Sequence, residues 1–254
     1  MSICKIDVDQ TNRELESATA FEIMQWAVNT YGQRLALQSS MQKTAGVLMH
    51  MISQIAPETE IVFIDTDVHF KETLETRDQF QRRFNLNIQT YKPLRTFEEQ
   101  YSDFGRHLYL TDDSVPGNPP GYRQCCILRK EEPFIRAVKG RFDAVIGGLM
   151  RSEGGARSDV KILTPDPRID ALKIYPLARW SDQDVDCYTA EHDLPVHPLY
   201  ARGFTSIGCF TCTTPIAPGE DKRAGRWRHI REGNPELQAT PLYCGINIED
   251  KKNT

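Results

Sequence analysis

The stretch RLALQSSMQKTAGVLMHMISQIAPETEIVFIDTD, residues 34–67, decides the fold. It opens with a short apolar strand that ends in small hydroxyl residues, and it continues as a helical pattern over residues 44–55. Residues 60–67 form a second strand, which is apolar enough to lie inside a sheet that is covered on both faces. A strand, a helix and a second strand in this order predict a parallel α/β unit.

The same alternation continues on both sides of this stretch. Downstream, KETLETRDQFQRRFN has helical spacing, NIQTYKP and FDAVIGGLM read as strands, and SDQDVDCYTAEHD reads as a capped helix. Upstream, apolar residues recur at near-helical spacing over residues 18–31. The predicted fold is therefore α/β, with a parallel Rossmann-type sheet flanked by helices. Residues 107–121, rich in Pro, Gly and Asp, are expected to form a long loop of the kind that covers a site.

Length and composition predict one domain. The chain has 254 residues, a formal charge of −4 and 39% hydrophobic residues, enough for one substantial core. We expect a domain over residues 1–245, with a helical region at about 10–31, a C-terminal segment at about 205–245, and a flexible tail at 246–254. No run of about 18 apolar residues and no secretory signal pattern is present, so we expect a cytoplasmic protein without a membrane partner.

Net charge and cysteine content indicate which classes of ligand the protein binds. The slightly acidic balance argues against general nucleic-acid binding, although the basic run DKRAGRWRHIR at residues 221–231 could receive an anion. Seven cysteines spread over this length do not resemble the disulfide framework of a small secreted protein. We therefore expect reduced thiols that are available for metal binding or catalysis.

The carboxyl ends of the predicted strands mark the ligand edge of the sheet. This edge takes in residues 38–44, 65–69 and 147–157. Backbone N–H groups and hydroxyls at a helix N-terminus can hold a phosphate or sulfate, although residues 38–44 lack the flanking glycines of a Walker A loop. The candidate binding residues at the first two strand ends are Ser39, Ser40, Gln42, Lys43, Thr44 and Asp65. Helix capping is the competing interpretation for the hydroxyl and carboxylate side chains among them.

Four cysteines form two close pairs. Cys125 and Cys126 are sequence neighbours, where a disulfide would close a strained ring and remove little freedom from the unfolded chain. Cys209 and Cys212 form a C-x-x-C pair that directs both sulfurs to one centre. Four thiolates fit either a structural zinc or an iron–sulfur cluster. Because adjacent cysteines can ligate two different irons of one cubane, whereas zinc sites draw on spaced pairs, we predict a [4Fe–4S] cluster on these four residues.

The remaining cysteines are treated separately. Cys4 and Cys187 have no matched partner in the sequence, and no role is predicted for them. The competing interpretation for Cys125 and Cys126 is that they are small buried residues. That interpretation suits one free cysteine better than a pair matched with a C-x-x-C pair elsewhere in the chain.

Taken together, the motifs resemble a known family, the assimilatory adenylyl-sulfate and phosphoadenylyl-sulfate (APS/PAPS) reductases, which are related to adenine-nucleotide α-hydrolases. The resemblance covers about residues 34–245. It is carried, in chain order, by QSSMQKTAGVLMHMISQI, IDTDVHFKETLE, CCILRKEEP, GGLMRSEGGARSDV, YPLARWSDQDVDCY, HPLYARGFTSIGCFTC, APGEDKRAGRW and YCGI. The resemblance associates the two cysteine pairs with cluster-containing, mainly APS-using members.

The resemblance implies a two-step reduction of APS or PAPS to sulfite and AMP or its 3′-phosphorylated form, in sulfate assimilation. The thiolate of Cys244, in YCGI, would attack the sulfate sulfur and leave an S-sulfonate on the enzyme. Thioredoxin or glutaredoxin would then release sulfite, and the cluster would act by electrostatics and positioning without changing its own redox state.

A thiolate nucleophile and an anionic substrate both require nearby cations. The resemblance assigns the grip on sulfate and phosphate oxygens to arginines and a lysine in three motifs. These residues are Arg129, Lys130, Arg151, Arg157, Arg223 and Arg226. Planar guanidinium groups suit a bidentate grip, and Lys130 could link cluster and substrate as a compact charge. The competing interpretation is a solvated basic face.

The chain departs from the family pattern at several positions. Lys43 stands in a loop that in APS-using members carries Ser-Gly and an acidic residue, so the nucleotide preference stays open. Met150 replaces an arginine, and Glu153 and Gly154 stand where Gln and Ser are usual. The C-terminal motif reads YCGIN, where the family usually has Glu before the cysteine and His at its end.

Two other functions stay open. One is a cluster-containing sulfurtransferase of the same fold that activates its substrate with ATP, although the Ser-Gly-Gly-x-Asp-Ser loop of such enzymes is absent. The other is a non-catalytic sulfonucleotide or iron–sulfur sensor, which a dispensable Cys244 would favour. The sequence does not fix the oligomeric state, and a homo-oligomer is among the states it allows.

Overall fold

One mostly parallel sheet organises the computed structural model, which describes residues 6–112 and 119–233. Its six strands in the described residues are β1 (Leu35–Ser39), β2 (Glu60–Ile64), β3 (Ile88–Tyr91), β4 (Ala144–Ile146), β5 (Leu163–Asp166) and β6 (Ala171–Ile174). They lie in the order β3-β2-β1-β4-β6-β5, with β1 at the centre and parallel to both β2 and β4. The predicted α/β fold is confirmed.

Helices cover both faces of this sheet. They are α1 (Val8–Leu15), α2 (Ala20–Tyr31), α3 (Lys43–Ile55), α4 (Lys71–Phe84), α5 (Phe97–Phe104), α6 (Gly121–Cys126), α7 (Glu132–Val138), α8 (Asp182–Glu191) and α9 (Arg228–Glu232). A π-helical segment, Ile127–Glu131, joins α6 to α7 without a break. Within the part of the chain that the structure describes, no helix is long and apolar enough to cross a membrane.

The side chains of the central strands alternate between two cores. Leu37, Ile146 and their neighbours face the larger core, which is built with α2 and α3. Val62 and Val145 face the smaller core, which is built with Phe134 and the rest of α7. Because both faces of the sheet are covered, the central strands are apolar throughout, as the sequence predicts for buried parallel strands.

One edge of the sheet differs from the parallel pattern. β5 runs antiparallel to β6, with Leu163 opposite Ile174 and Asp166 opposite Ala171. No strand pattern marks this hairpin in the sequence, because LTPD at residues 163–166 carries a proline and a charge. A short turn with no intervening helix leaves β5 only the antiparallel direction, since a parallel return needs a longer crossover.

The predicted long loop over residues 107–121 is partly helical. A 3₁₀ turn spans Leu108–Leu110, and α6 begins at Gly121, while residues 113–118 lie outside the described residues. A side chain at Gly121 would lie 1.9 Å from Thr111 Oγ1 and 2.8 Å from the Leu108 carbonyl oxygen. The absence of a β-carbon there lets the turn pack directly on the start of α6.

The capped helix predicted at residue 181 is present. Ser181 Oγ accepts a hydrogen bond from the Asp184 N–H, and the Asp184 carboxylate accepts one from the Ser181 N–H. Such reciprocal capping satisfies two otherwise unpaired N–H groups at the start of α8.

We predict that Ser181→Ala lowers the free energy of unfolding by about 1 kcal/mol, because the alanine leaves the Asp184 N–H without its acceptor. Urea denaturation followed by circular dichroism measures the change. Ser102→Ala is the matched control, since the Ser102 hydroxyl only bonds back to the Glu98 carbonyl inside α5. Equal losses in the two variants would contradict the capping role.

Candidate functional site

A cleft opens at the carboxyl ends of β1 and β2, where the topology of a parallel sheet predicts a ligand site. The empty space in this cleft, with the solvent at its open mouth included, amounts to about 800 Å³. The lining residues come from the ends of β1 and β2 and the loops after them, α4, the turn at residues 155–157, the π-helical segment and the C-terminal segment. They are Gln38, Ser39, Ser40, Gln42, Phe63, Ile64, Thr66, His69, Thr73, Lys130, Arg157, Ile207, Gly208, Arg223 and Arg226.

The loop after β1 shapes one wall of the cleft. Ser39 Oγ accepts a hydrogen bond from the Met41 N–H, and Met41 adopts a left-handed conformation with φ 58°. Gln42 donates from Nε2 to Ser40 Oγ and accepts from the Ile207 N–H at 2.9 Å. Gln42 therefore ties this loop to the C-terminal segment across the cleft.

Three predicted binding residues at the strand ends do not line the cleft. Lys43 Nζ lies 2.6 Å from an Asp186 carboxylate oxygen of α8, and 5.0 Å from the centre of the Tyr200 ring. Thr44 packs against Gly148, where a β-carbon would lie 2.7 Å from Thr44 Oγ1. The third is Asp65.

Asp65 does not cap the next helix, which was the alternative that the sequence offered, because the N-cap of α4 is Phe70 and no side chain caps it. Asp65 Oδ1 accepts a hydrogen bond from the Asp67 N–H at 3.0 Å, and Oδ2 lies 3.5 Å from Lys92 Nζ. Asp67 has φ 67°, and the Asp65 carboxylate stabilises this turn at the end of β2. The carboxylate thus shapes the backbone beside the cleft.

Positive charge dominates the polar lining. Lys130, Arg157, Arg223 and Arg226 line the cleft, and no carboxylate lines it among the described residues. Arg226 is 5% exposed, and its guanidinium lies 4.7 Å from the Trp227 ring centre. One anion could contact several of these cations, since their elements converge on one cleft.

The departures from the family pattern around residue 150 have a local explanation. Met150 is buried in the larger core. Glu153 accepts a hydrogen bond from the Met150 N–H at 3.1 Å, and its other oxygen lies 2.6 Å from Arg157 Nη1. Glu153 therefore both closes this turn and orients Arg157 at the cleft.

Two predicted binding arginines serve the protein's own structure. Arg151 forms a bidentate pair with Glu16 and donates from Nε to the Val160 carbonyl, away from the cleft lining. Arg129 is 1% exposed and donates to the Thr66 carbonyl at 2.7 Å and to Gln100 Oε1 at 3.2 Å. Arg129 and Lys130 are consecutive residues of the π-helical segment. The Arg129 side chain binds other protein groups, whereas Lys130 lines the cleft.

The four paired cysteines gather beside the cleft. Cys125, Cys126, Cys209 and Cys212 are all buried and free, whereas Cys187 is exposed. Cys126 and Cys212 share one small core with Trp227 and Ile230. Cys125 lies within electrostatic range of Cys209 and Lys130, and Cys212 lies within range of Cys209, Cys125 and Lys130. Two distant parts of the chain thus bring their sulfurs into one region, next to Lys130.

Two neighbours link the cysteine pairs to Arg129. Gln100 donates to Cys125 Sγ at 3.6 Å while its carbonyl oxygen accepts from Arg129. Thr66 Oγ1 lies 3.3 Å from Cys209 Sγ, and the Thr66 carbonyl accepts from Arg129. The Arg129 guanidinium therefore hydrogen-bonds to one residue that contacts Cys125 and to another that contacts Cys209.

Burial controls the protonation of these cysteine thiols. Burial raises the pKa of the Cys125 thiol and raises that of Cys212 to about 12, so as free thiols both would stay protonated and unreactive. Iron ligation would instead hold such thiols as thiolates. Over residues 6–112 and 119–233, no group of three or more His, Cys, Asp or Glu side chains is placed to hold a metal ion.

His69 is a cleft residue that the sequence did not single out. Its Nε2 donates to the Ile64 carbonyl at 2.9 Å, and its ring stacks on Phe63. Burial lowers the pKa of His69 to about 4, so the ring is neutral. Its position directly after a buried strand, inside the predicted ligand edge, was the available signal.

Cys244, the predicted nucleophile, lies outside the described residues, as does Cys4.

Comparison with known proteins gives consistent results. Residues 34–215 match the family model described as the phosphoadenosine phosphosulfate reductase domain. The "Adenosine 5'-phosphosulfate reductase" of Streptomyces coelicolor is 37% identical, over 86% of this chain and 88% of its own length. The protein of the same name from Staphylococcus haemolyticus is 34% identical, over 96% of this chain and 93% of its own length.

Solved structures show the same fold. A phosphoadenylyl-sulfate (PAPS) reductase from Candida auris, in a phosphate complex, superposes with a TM-score of 0.70 at 26% identity. That match covers 84% of this chain and 99% of the other. The FMN adenylyltransferase of Candida glabrata, with a TM-score of 0.55 at 16% identity over 84% of this chain and 67% of its own, shares the fold alone.

We predict that Gly208→Ala weakens anion binding in the cleft. A β-carbon at residue 208 would lie 2.4 Å from Arg226 Nη2, so the guanidinium must move away from its position over Trp227. Loss of one charge-assisted hydrogen bond corresponds to roughly tenfold weaker binding of pyrophosphate, which calorimetry measures.

The control for that experiment is Gly233→Ala, because a β-carbon there meets only carbonyl oxygens at 3.7 Å or more. Gly208→Ala should also add little to Arg226→Ala, since the two changes remove the same contact. Unchanged pyrophosphate affinity in Gly208→Ala would show that Arg226 does not bind the anion.

Proposed function

The chain belongs to the phosphoadenosine phosphosulfate reductase domain family, and from this membership we propose that it reduces adenylyl sulfate (APS) to sulfite and AMP in sulfate assimilation. The observation that carries the proposal is the cationic cleft at the strand ends, with a cluster of buried cysteines beside it. A sulfonucleotide presents two adjoining anionic groups, which such a cleft would bind.

APS is the favoured substrate over its 3′-phosphorylated form. The bacterial relatives with 33–37% identity are named adenosine 5′-phosphosulfate reductases, whereas the similar solved structure is a PAPS reductase. Lys43, the loop cation that could have met a 3′-phosphate, pairs with Asp186 instead and does not line the cleft. These two observations support APS.

The chemistry requires a nucleophile that the buried cysteines do not provide. In the proposed reaction, a Cys244 thiolate attacks the sulfate sulfur, the bond from sulfur to the phosphate oxygen breaks, and AMP leaves. The enzyme then carries a Cys244 S-sulfonate. A dithiol such as thioredoxin or glutaredoxin supplies two electrons, becomes a disulfide and releases sulfite.

The described residues have defined tasks in this reaction. Lys130, Arg157, Arg223 and Arg226 would neutralise the phosphate and sulfate oxygens and hold the sulfur in place for attack. Ser40 and the backbone of the loop after β1 would add neutral donors at the start of α3. The cleft residues therefore bind and orient, and the nucleophile comes from outside the cleft lining.

The proposed cofactor is a [4Fe–4S] cluster on Cys125, Cys126, Cys209 and Cys212. When bound, it would supply a fixed electrostatic field and rigidity next to the substrate. The buried all-thiol donor set and the contacts that join the two pairs support this ligation. Lys130 would interact electrostatically with both the cluster and the bound anion.

We predict that Cys244→Ser abolishes both turnover and covalent labelling. Anaerobically purified protein, incubated with APS labelled in its sulfur and no reductant, should carry one label that a dithiol releases as sulfite. Removing the nucleophile should lower turnover at least about a thousandfold. Cys187→Ser is the control, because Cys187 is an exposed cysteine away from the cleft lining.

The same assay separates the rival functions. Label that persists in Cys244→Ser would refute the assigned nucleophile. Cleavage of ATP to AMP and pyrophosphate would support the sulfurtransferase, and tight APS binding without labelling or turnover would support the sensor. Comparing kcat/KM for APS and PAPS tests the substrate preference.

We predict that Cys125→Ala lowers the iron and acid-labile sulfide content of the protein and removes its visible absorbance. The reason is that one iron loses its thiolate ligand. Sulfite production should fall with the absorbance. Cys187→Ala should keep both, and a Cys125→Ala protein with full iron content would contradict the proposed ligand set.

A further inference from the structure

A lysine lies behind the cleft in the interior of the sheet. Lys173 of β6 is 1% exposed, its Nζ lies 4.1 Å from the centre of the Phe134 ring, and Asp166 and Arg168 lie within electrostatic range. Nζ donates a hydrogen bond to Gln38 Oε1 at 3.0 Å. Moving a lysine side chain from water into the protein interior costs free energy, so we ask what this buried lysine does.

The lysine fixes the orientation of the Gln38 amide. As an ammonium group, Nζ has three N–H donors and no acceptor, so only the carbonyl oxygen of the amide can pair with it. The planar amide therefore turns its NH₂ group away from Lys173. Gln38 lines the cleft, and its Nε2 donates to no group in the described part of the chain.

Gln38 lines the same cleft as the cations Lys130, Arg157, Arg223 and Arg226. Gln38 directly precedes Ser39 and Ser40, at the end of β1 that leads to the N-terminus of α3. With its carbonyl toward Lys173, the amide has the positive end of its dipole toward the cleft. An amide that could turn over would instead present an oxygen, which repels an anion.

We propose that Lys173 is a positioning residue, which orients Gln38 so that its NH₂ group donates to an anionic oxygen of the bound sulfonucleotide. This inference rests on the proposed function, because it assigns an oxygen of that same substrate to Gln38. It makes Gln38 a binding residue of the cleft, and Lys173 acts only through it.

Gln38→Glu is the decisive variant. The glutamate keeps an oxygen that accepts the hydrogen bond from Lys173, so the contact between β1 and β6 is preserved. It replaces the NH₂ group with a second oxygen, so the bound anion loses a hydrogen-bond donor. The midpoint of urea unfolding should stay equal or rise. Affinity for ADP, whose second phosphate takes the place of the sulfate, should fall at least about tenfold, equivalent to about 1.4 kcal/mol. Affinity for adenosine, which carries no anionic group, should change less than about twofold by the same scale.

Lys173→Met tests the positioning role. It keeps Gln38 but releases its amide, so ADP binding should weaken severalfold, and Gln38→Met should then cost less in this background than in the parent protein. Gln54→Glu in α3 and Lys71→Met in α4 are the controls, because both residues are exposed and absent from the cleft lining.

Calorimetry with ADP, AMP and adenosine separates the two levels of the hypothesis. If the parent protein binds neither ADP nor AMP, the proposed function fails. If it binds both, but Gln38→Glu leaves ADP affinity within twofold or weakens adenosine equally, the assignment of Gln38 to the anion is wrong. If Lys173→Met does not fold, the unfolding and binding data of Gln38→Glu and Gln38→Met still decide the question.

Discussion

The buried guanidinium of Arg129 is the constraint on which the site depends. It donates to the Thr66 carbonyl and to Gln100, and each of these residues contacts a cysteine of a different pair. A charged side chain that is 1% exposed is tolerated only where hydrogen bonds satisfy it. Arg129 therefore fixes the positions of its own π-helical segment, the loop at Thr66 and the helix that carries Gln100 relative to one another. The same arrangement directs the next residue, Lys130, to the cleft.

Arg129, which binds protein groups, and Lys130, which lines the cleft, are neighbours in the π-helical segment. Such segments are rare and occur often at functional sites. Here the segment follows the adjacent cysteines and ends at Glu131, which pairs with Arg123 and lies 3.8 Å from Arg168. It is therefore anchored at its C-terminal end, and its two cations serve different purposes, one structural and one at the cleft.

The sulfur chemistry is divided as well. Burial raises the pKa of the Cys125 and Cys212 thiols, which disfavours the thiolate form that nucleophilic attack requires. Attack on a bound sulfonucleotide needs a thiolate that can approach the anion from outside. The proposed function therefore gives the two kinds of cysteine separate tasks, with cluster ligation by the four buried cysteines and attack by Cys244.

The sequence by itself determined the parallel α/β sheet, the capped helix after residue 180 and the ligand edge of the sheet, whereas the order of the strands came from the structure. Hydrophobic period and helix caps are local signals, and a parallel sheet fixes where its strand ends lie. Only the tertiary structure decided which polar residues face the cleft. Arg129 and Arg151 bind protein groups, Lys43 pairs with Asp186, and His69 and Gln38 line the cleft. The reason is that the direction of a side chain depends on partners far away in the chain, which no local pattern encodes.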